Sequence, residues 1–284
     1  MKVLVTGGSG FLGRRTAGYF EKLGWQVAAP GHGQLDITRE DDLAQWFGSH
    51  RVDAVIHTAA VSDTGLCQQR PEWSEKINVT GCVNLAKACR EAGVKLVICS
   101  SDQVYVGSSL PGPHREAETV TPGNVYGCQK RRAEQECLEI LPETVCLRLS
   151  WMYARDRFPG EHGHFLATLK QALEEESRRL TWPVHDHRGL TDAAYVVKNL
   201  PEALKLEGGI WNFGSENDSS TYDTVKILLE EAGMEDALRR LQPNEEAFAE
   251  HPRDISMDLT KLKSAGIRFP TTKEGLRLAL KAQI

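Results

Sequence analysis

The chain has 284 residues, 40% hydrophobic and 26% charged, which supplies a sizeable core for one large or two smaller domains and excludes intrinsic disorder. Its 34 Lys and Arg against 39 Asp and Glu leave a formal charge of -5, so the positive field that collects phosphates along a nucleic acid is missing and no nucleic-acid partner is expected. No window approaches the roughly 18 apolar residues of a membrane span, and the N-terminus enters a strand-like run in place of a basic, apolar signal, so a cytoplasmic protein without a membrane partner is expected.

In chain order, Lys2 to Thr6 is a short β-branched run, Phe11 to Leu23 carries apolar residues at helical spacing, and Gln26 to Ala29 is short and apolar again. The alternation continues with a helix over Arg39 to Phe47, a strand at Ala54-Val55-Ile56, a helix from about Ser74 to Ala92 and a strand from Lys95 to Cys99. A helix over Val125 to Ile140 then leads through Pro142 into the strand Thr144 to Leu149. Such repeats predict an α/β fold: a Rossmann-type, doubly wound parallel sheet covered by helices on both faces, with five strands in place by about residue 150.

Beyond that point the texture changes to a polar loop with Pro159, Gly160 and Gly163, a charged helix over His164 to Arg179 and a strand over Leu180 to Val184. Gly209 to Phe213 reads as one more strand returning to the sheet, while Tyr222 to Ala232 and Thr271 to Ala282 read as helices. The expected division is a nucleotide-binding domain over 1–150 that also takes in about 190–214, and a smaller, discontinuous substrate-binding region over 151–284. The seven cysteines (Cys67, Cys82, Cys89, Cys99, Cys128, Cys137 and Cys146) are odd in number and form no C-x-x-C pair, which predicts reduced, mostly buried thiols. The pairs His162/His164 and His185/His187 lack a fixed third ligand, and no metal is expected.

Directly after the first strand, Thr6-Gly7-Gly8-Ser9-Gly10-Phe11-Leu12-Gly13 satisfies G-x-x-G-x-x-G from Gly7 and G-x-G-x-x-G from Gly8, with a helix opening inside it. Glycines let the backbone turn tightly and approach a pyrophosphate, and the helix start offers unpaired N–H groups and a partial positive charge. Gly7, Ser9, Gly10, Phe11, Leu12 and Gly13 are therefore candidate cofactor residues. At the end of the second strand, where an NAD enzyme places an Asp or Glu on the adenosine ribose, the chain has Pro30, Gly31 and His32. With no carboxylate there to repel a 2'-phosphate, and with Arg14, Arg15 and His32 in reach, NADP(H) is favoured over NAD(H).

The pattern Y-x-x-x-K in Tyr126-Gly127-Cys128-Gln129-Lys130 puts Tyr126 and Lys130 on one helix face a single turn apart. A phenol near pKa ~10 is a poor acid or base at neutral pH, and a neighbouring ammonium joined by an oxidised nicotinamide favours the phenolate. Ser101 follows the fourth strand at the carboxyl edge of the sheet, where ligands bind in doubly wound folds, and its hydroxyl can hold a carbonyl while Tyr126 protonates it.

Together the glycine loop, Ser101 and the Tyr126/Lys130 pair resemble the extended short-chain dehydrogenase/reductase superfamily over essentially the whole chain. Within it, the chain is similar to the dTDP-4-dehydrorhamnose reductase family, the RmlD-type sugar-nucleotide reductases, through Leu35-Asp36-Ile37-Thr38, His57-Thr58-Ala59-Ala60, Ile77-Asn78-Val79-Thr80-Gly81, Ser101-Asp102-Gln103-Val104-Tyr105, Pro122 to Gly127 and Leu147 to Tyr153. The resemblance implies that Asp36 and Ile37 line the adenine, Ala59 and Ala60 the middle of the cofactor, and Ser101, Tyr126 and Lys130 the reacting centre, with Trp151 against the sugar. It implies reduction of the C4 ketone of a nucleotide-linked deoxysugar, with hydride from the nicotinamide, the proton from Tyr126, and Lys130 orienting the nicotinamide ribose.

Sugar-nucleotide 4,6-dehydratases, which the chain also resembles, carry Asp then Glu after the hydroxyl residue; here the pair is Asp102-Gln103, and an amide cannot do acid-base work. The chain departs from the reductase pattern at Gln103, where an aromatic is usual, at His164-Phe165 for Asn-Phe, at Leu190-Thr191 for Pro-Thr and around Ser62 to Cys67. The first three fall on the substrate side, where Asp102, Gln103 and Trp151 are candidate substrate residues, and together the departures leave the sugar's identity, and its linkage to dTDP, open. Arg188 and Arg253 are candidates for a substrate diphosphate, because Arg offers a forked donor to phosphate oxygens. The alternatives are a sugar-nucleotide 4-epimerase on the same scaffold, marked by tightly retained NAD, and a non-catalytic NADP-binding regulatory subunit; a homodimer stays open as the assembly.

Overall fold

The computed structural model describes residues 1–156, 158, 164–175 and 179–281. Six strands, β1 (Lys2–Thr6), β2 (Gln26–Ala28), β3 (Ala54–His57), β4 (Lys95–Ser101), β5 (Val145–Leu149) and β6 (Gly209–Phe213), form one sheet in the order β2-β1-β3-β4-β5-β6. Every neighbouring pair in it is parallel. Parallel neighbours require crossovers, and the helices α1 (Phe11–Lys22), α2 (Glu40–Ser49), α3 (Cys82–Ala92), α4 (Val125–Ile140) and, after α5 (Phe165–Glu174), α6 (Ala193–Ala203) supply them.

Both faces of the sheet are covered. Val3, Val5, Ile56, Val97 and Leu147 pack with Phe20 of α1 and Val196 and Leu200 of α6. The alternate residues Leu4, Val55, Leu96, Ile98 and Cys146 pack with Leu43 of α2, Leu85 of α3 and Cys137 of α4. Burial on both faces is why these strands read as unbroken apolar runs. The chain leaves β1 for β2 on one side and then crosses to β3 on the other, so the helices that follow β1 and β3 lie on opposite faces of the sheet and a crevice opens between them at the carboxyl edge.

A third core joins Tyr153, Phe165, Leu169 and Leu190 to Val225 and Leu229 of α7 (Thr221–Glu231) and Leu276 of α8 (Thr272–Lys281). Three small parallel pairs frame it: Trp151–Tyr153 with Leu190–Asp192, Leu180–Pro183 with Leu241–Asn244, and Asp186–His187 with Arg253–Asp254. The expected strand at 180–184 thus exists but stays outside the main sheet, whereas the one at Gly209–Phe213 does return to it, beside β5. The polar loop of Pro159, Gly160 and Gly163, together with His162, lies outside the described residues; α5 ends at Glu174, and part of the expected extension to Arg179 also lies outside them.

The expected helix from Ser74 to Ala92 is not one regular helix. Short helices at Thr64–Gln69 and Pro71–Glu75 lead into π-helical turns over Lys76–Gly81 before α3 begins. Two tertiary demands explain the widened turns. The buried Asn78 side chain accepts from Val61 N (2.8 Å) and donates to Val61 O (3.0 Å) and Gln129 Oε1 (2.9 Å), while a Cβ on Gly81 would fall 2.8 Å from Ile37 Cδ1. A π-turn inside a helix commonly marks such a functional constraint.

Candidate active site

The glycine loop closes on itself at the mouth of the crevice. Gly10 N donates to Gly7 O at 2.8 Å, and Gly7 has a φ of 70°, in the left-handed region open to glycine. A Cβ on Gly7 would lie 2.7 Å from Ala59 N, one on Gly8 would lie 2.7 Å from Ala29 Cβ, and one on Gly13 would run into the Gly7 carbonyl oxygen and Thr58 Oγ1. The missing side chains therefore let the loop, α1 and the segment after β3 meet, which brings Thr58 and Ala59 to the glycines, with Ala60 next along the chain. Gly10 is different: its Cβ would meet only Gly7 O, at 3.2 Å, so its other side is open. It is also the N-cap of α1, no side chain caps that helix, and no acid sits in its first turn. An open glycine beside the uncapped start of a twelve-residue helix fits a dinucleotide pyrophosphate through the N–H groups of Phe11, Leu12 and Gly13.

At the end of β2 the structure keeps Ala29, Pro30, Gly31 and His32 free of carboxylates, with the His32 side chain 83% exposed and its Nδ1 3.9 Å from Asp36 Oδ1. Burial pushes the Asp36 carboxyl up, but hydrogen bonds from Thr38 N (2.9 Å) and Oγ1 (2.8 Å) outweigh it and hold the group below the usual value. Ile37 is buried and reaches Gly81. Arg14 donates to Ser9 O at 3.1 Å and stays at the loop. Arg15 donates to Phe11 O and to Asp156, and its guanidinium lies 4.4 Å from the Phe11 ring centroid, so it is engaged away from the ribose end expected of it from the sequence; both the Arg14 and Arg15 guanidiniums also lie 4.9 Å from the Phe158 ring centroid.

Ser101, Tyr126 and Lys130 converge. Ser101 ends β4; Asn124 caps α4 by accepting from Gly127 N at 2.7 Å, which places Tyr126 in the first turn and Lys130 one turn further on. Lys130 Nζ donates to Cys99 O at 2.8 Å and lies 5.6 Å from the Tyr126 ring centroid. All three residues are at least nine-tenths buried. Burial raises the Tyr126 phenol above its ordinary value; Lys130 and the Ser101 hydroxyl pull it back only in part, while Asp102 pushes it further up. The phenol is therefore held as an acid, the form a proton donor needs. The pull of Lys130 toward the phenolate, expected from the spacing, is present but outweighed by desolvation.

The substrate-side candidates form two acid–arginine pairs beside this centre, one buried and one partly exposed. Ser101 Oγ donates to Asp102 Oδ1 at 3.2 Å, and Arg188 Nη2 donates to Asp102 Oδ2 at 2.9 Å. The Arg188 guanidinium also lies 4.9 Å from the Trp151 ring centroid, and its buried Nε has no hydrogen-bond partner among the described residues. Burial raises the Asp102 carboxyl above the usual range, against the opposing pull of Arg188. Arg253 Nε donates to Asp186 Oδ1 at 2.8 Å while its side chain remains 22% exposed. Trp151 packs edge-on against Phe165, with centroids 5.7 Å apart. Gln103 is tied to the cap of α4: its Oε1 accepts from Asn124 Nδ2 at 3.1 Å.

Asn78 and Asn124 were not singled out as site residues by the sequence. Their positions at a π-turn and a helix cap become visible only in three dimensions, although an Asn two residues before Tyr126, directly ahead of a helical run, is a cap signal readable from sequence. Among the described residues no group of three His, Cys, Asp or Glu could hold a metal, the cysteines are free, and no helix is long and apolar enough to cross a membrane.

Residues 1–284 match the family described as the RmlD substrate binding domain. The chain is 38% identical over 285 residues to a dTDP-4-dehydrorhamnose reductase of Streptomyces griseus, covering 93% of this chain and 88% of the relative. It is 24% identical to methionine adenosyltransferase 2 subunit beta of Pongo abelii, covering 94% and 83%. In fold it is similar to a dTDP-4-dehydrorhamnose reductase of Bacillus anthracis solved in complex with NADP, with a TM-score of 0.86 at 23% identity, over 100% of this chain and 99% of that one.

Proposed function

Because the chain belongs to the RmlD substrate-binding-domain family, whose match spans its whole length, we propose that it is an NADPH-dependent oxidoreductase that reduces the C4 ketone of a nucleotide-linked deoxysugar. The observation that carries this reading is the convergence of Ser101, Tyr126 and Lys130 at the carboxyl edge of the sheet, beside an open glycine loop, with burial favouring the neutral phenol. The similarity to methionine adenosyltransferase 2 subunit beta shows that a related chain serves as a subunit of another enzyme, but the assembled serine, tyrosine and lysine favour catalysis over a non-catalytic role here.

The glycine loop and α1 would hold the pyrophosphate, Asp36 and Ile37 the adenine, Ala59 and Ala60 the middle of the dinucleotide, and Arg14 and His32 a 2'-phosphate. When bound, the reduced nicotinamide supplies the hydride. Ser101 Oγ hydrogen-bonds the ketone oxygen, Tyr126 donates its phenolic proton to that oxygen as charge develops there, and Lys130 holds the phenol in place and replaces the lost charge balance. Water exclusion comes from the burial of all three groups. Asp102 fixes Ser101 and Arg188, Trp151 faces the sugar, and the exposed part of the Arg253 fork receives a diphosphate oxygen.

The test is NADPH consumption by purified protein against a panel of nucleotide-linked 4-keto-6-deoxy sugars, repeated with NADH and with Arg14→Ala/His32→Ala. Turnover with NADPH, and a KM raised about tenfold by the double substitution for NADPH but not NADH, supports the reading. An inert panel, or NAD retained and cycled without net oxidation, refutes it.

A further inference from the structure

Directly behind the reacting centre lies a buried polar group with no part in the chemistry above. Glu134, on α4, accepts from Ser100 Oγ at 2.6 Å and takes both Nε (2.9 Å) and Nη2 (2.7 Å) of Arg148. The side chains are 0% and 1% exposed, and Arg148 is the largest fully buried side chain among the described residues. Arg131, on the same helix, stands 3.6 Å from Glu134 Oε2. The chain of bonds continues from Arg148 Nη1 to Tyr105 Oη (2.9 Å) and from Tyr105 Oη to Asn212 Oδ1 (2.8 Å). Ser100, Arg148 and Asn212 are register partners, so they form one polar row across β4, β5 and β6, immediately below the strand ends.

Stability does not account for this row. Two charges withdrawn from water regain little more than their desolvation cost, and a well-packed apolar pair of similar volume holds a fold as well or better. What an ion pair has and an apolar contact lacks is direction. Around Glu134, α4 meets the sheet through Ala133 and Cys137, contacts that tolerate a slide or a small rotation of the helix. A two-pronged guanidinium–carboxylate pair does not.

The spacing gives the directional contact a purpose. Tyr126, Lys130 and Glu134 recur every four residues along one face of α4, and they meet three successive residues of β4: Tyr126 at Ser101, Lys130 at Cys99 O, Glu134 at Ser100 Oγ. We propose that Glu134 and Arg148 are positioning residues: through Ser100 and β5 they set the axial register of α4 on β4, and so the placement of the Tyr126 phenol and the Lys130 ammonium against Ser101. This rests on the reductase reading for its activity readout, while the placement of Lys130 beside Tyr126 can be read without substrate.

The test compares wild type with Glu134→Leu/Arg148→Met, which removes both charges together, and with Ser100→Ala, which cuts the link to β4 and leaves the ion pair intact. For each we would measure melting temperature, kcat and KM for NADPH and ketosugar, and the Tyr126 titration as the tyrosinate absorbance difference from Tyr126→Phe. The expected result is a melting temperature no lower than that of wild type for whichever variant folds, kcat reduced about 10- to 100-fold with KM for NADPH little changed, and a Tyr126 titration moved to higher pH as Lys130 loses its place. A stable variant with wild-type kcat and an unmoved titration overturns the proposal, as does a fall in kcat that only follows a fall in melting temperature. If wild type reduces no ketosugar, the reductase reading fails and the Tyr126 titration alone decides this inference.

Discussion

Replacing Tyr126 by Phe removes one hydroxyl from the reacting centre and leaves the ring that packs there. Burial favours the neutral phenol, so under the proposed reduction it is the group that meets the charge growing on the ketone oxygen. A positioned general acid is worth about 10²- to 10⁴-fold, or roughly 3 to 5 kcal/mol of barrier. The fold should lose far less. Ser101 Oγ keeps its bond to Asp102 Oδ1 at 3.2 Å, and Lys130 Nζ keeps Cys99 O at 2.8 Å, so no partner is stranded and the cost is about 1 kcal/mol or below. The assay is steady-state NADPH oxidation with a 4-keto-6-deoxy sugar nucleotide from pH 6 to pH 11, alongside NADPH binding by fluorescence. Because burial raises the phenol, the wild-type rate should stay level through neutral pH and fall only above the ordinary phenol value of about 10, and the variant should lack that limb while binding NADPH normally. A variant within tenfold of wild type, or a wild-type alkaline limb centred below about pH 9, would refute the assignment of the proton to Tyr126.

Gly13→Ala would drive a Cβ into the Gly7 carbonyl, forcing α1 from the loop; a loss of about 1–3 kcal/mol in urea unfolding and an NADPH dissociation constant raised at least about tenfold are expected, and wild-type affinity would count against the loop geometry. Arg253→Gln should raise KM for the sugar nucleotide about 10-fold while leaving NADPH binding unchanged, since its Nε is tied to Asp186 and the rest of the fork is partly exposed; equal losses for both ligands would mean a structural arginine. At Asp186, burial pushes the carboxyl up but the hydrogen bonds from Arg253 and Thr221, with the Arg253 and Arg188 charges, prevail, so its folded pKa lies below the ordinary aspartate value of 3.8. Its contribution is then complete above that value and lost as pH falls through the lower folded pKa. Asp186→Asn should cost about 2 kcal/mol at pH 7, with the difference from wild type shrinking below pH 3.8, as urea midpoints at the two pH values would show.

Much of the site was legible because its signals are local. A glycine loop between strand and helix, Y-x-x-x-K in a first helical turn and a serine closing a strand each specify their geometry within a few residues, and the structure brings Ser101, Tyr126 and Lys130 together accordingly. The substrate side was less legible. Arg188 and Arg253 looked alike as candidate phosphate ligands, yet one is buried against Asp102 and Trp151 and the other keeps an exposed fork beside Asp186. Arg15 seemed available to the ribose until Asp156, far along the chain, claimed it.

Reading residues along the chain was enough for the alternation of strands and helices, the parallel sheet and the shared helix face of Tyr126 and Lys130, because hydrophobic period, turn chemistry and one-turn spacing are encoded by neighbours. Only the tertiary structure decided which charges are paired, where Lys76–Gly81 widens into π-turns, and that Ser100, Arg148 and Asn212 stand in one row. Those outcomes depend on which distant strands and loops meet, and on desolvation, which grows with burial and has no signature in the spacing of residues along a chain.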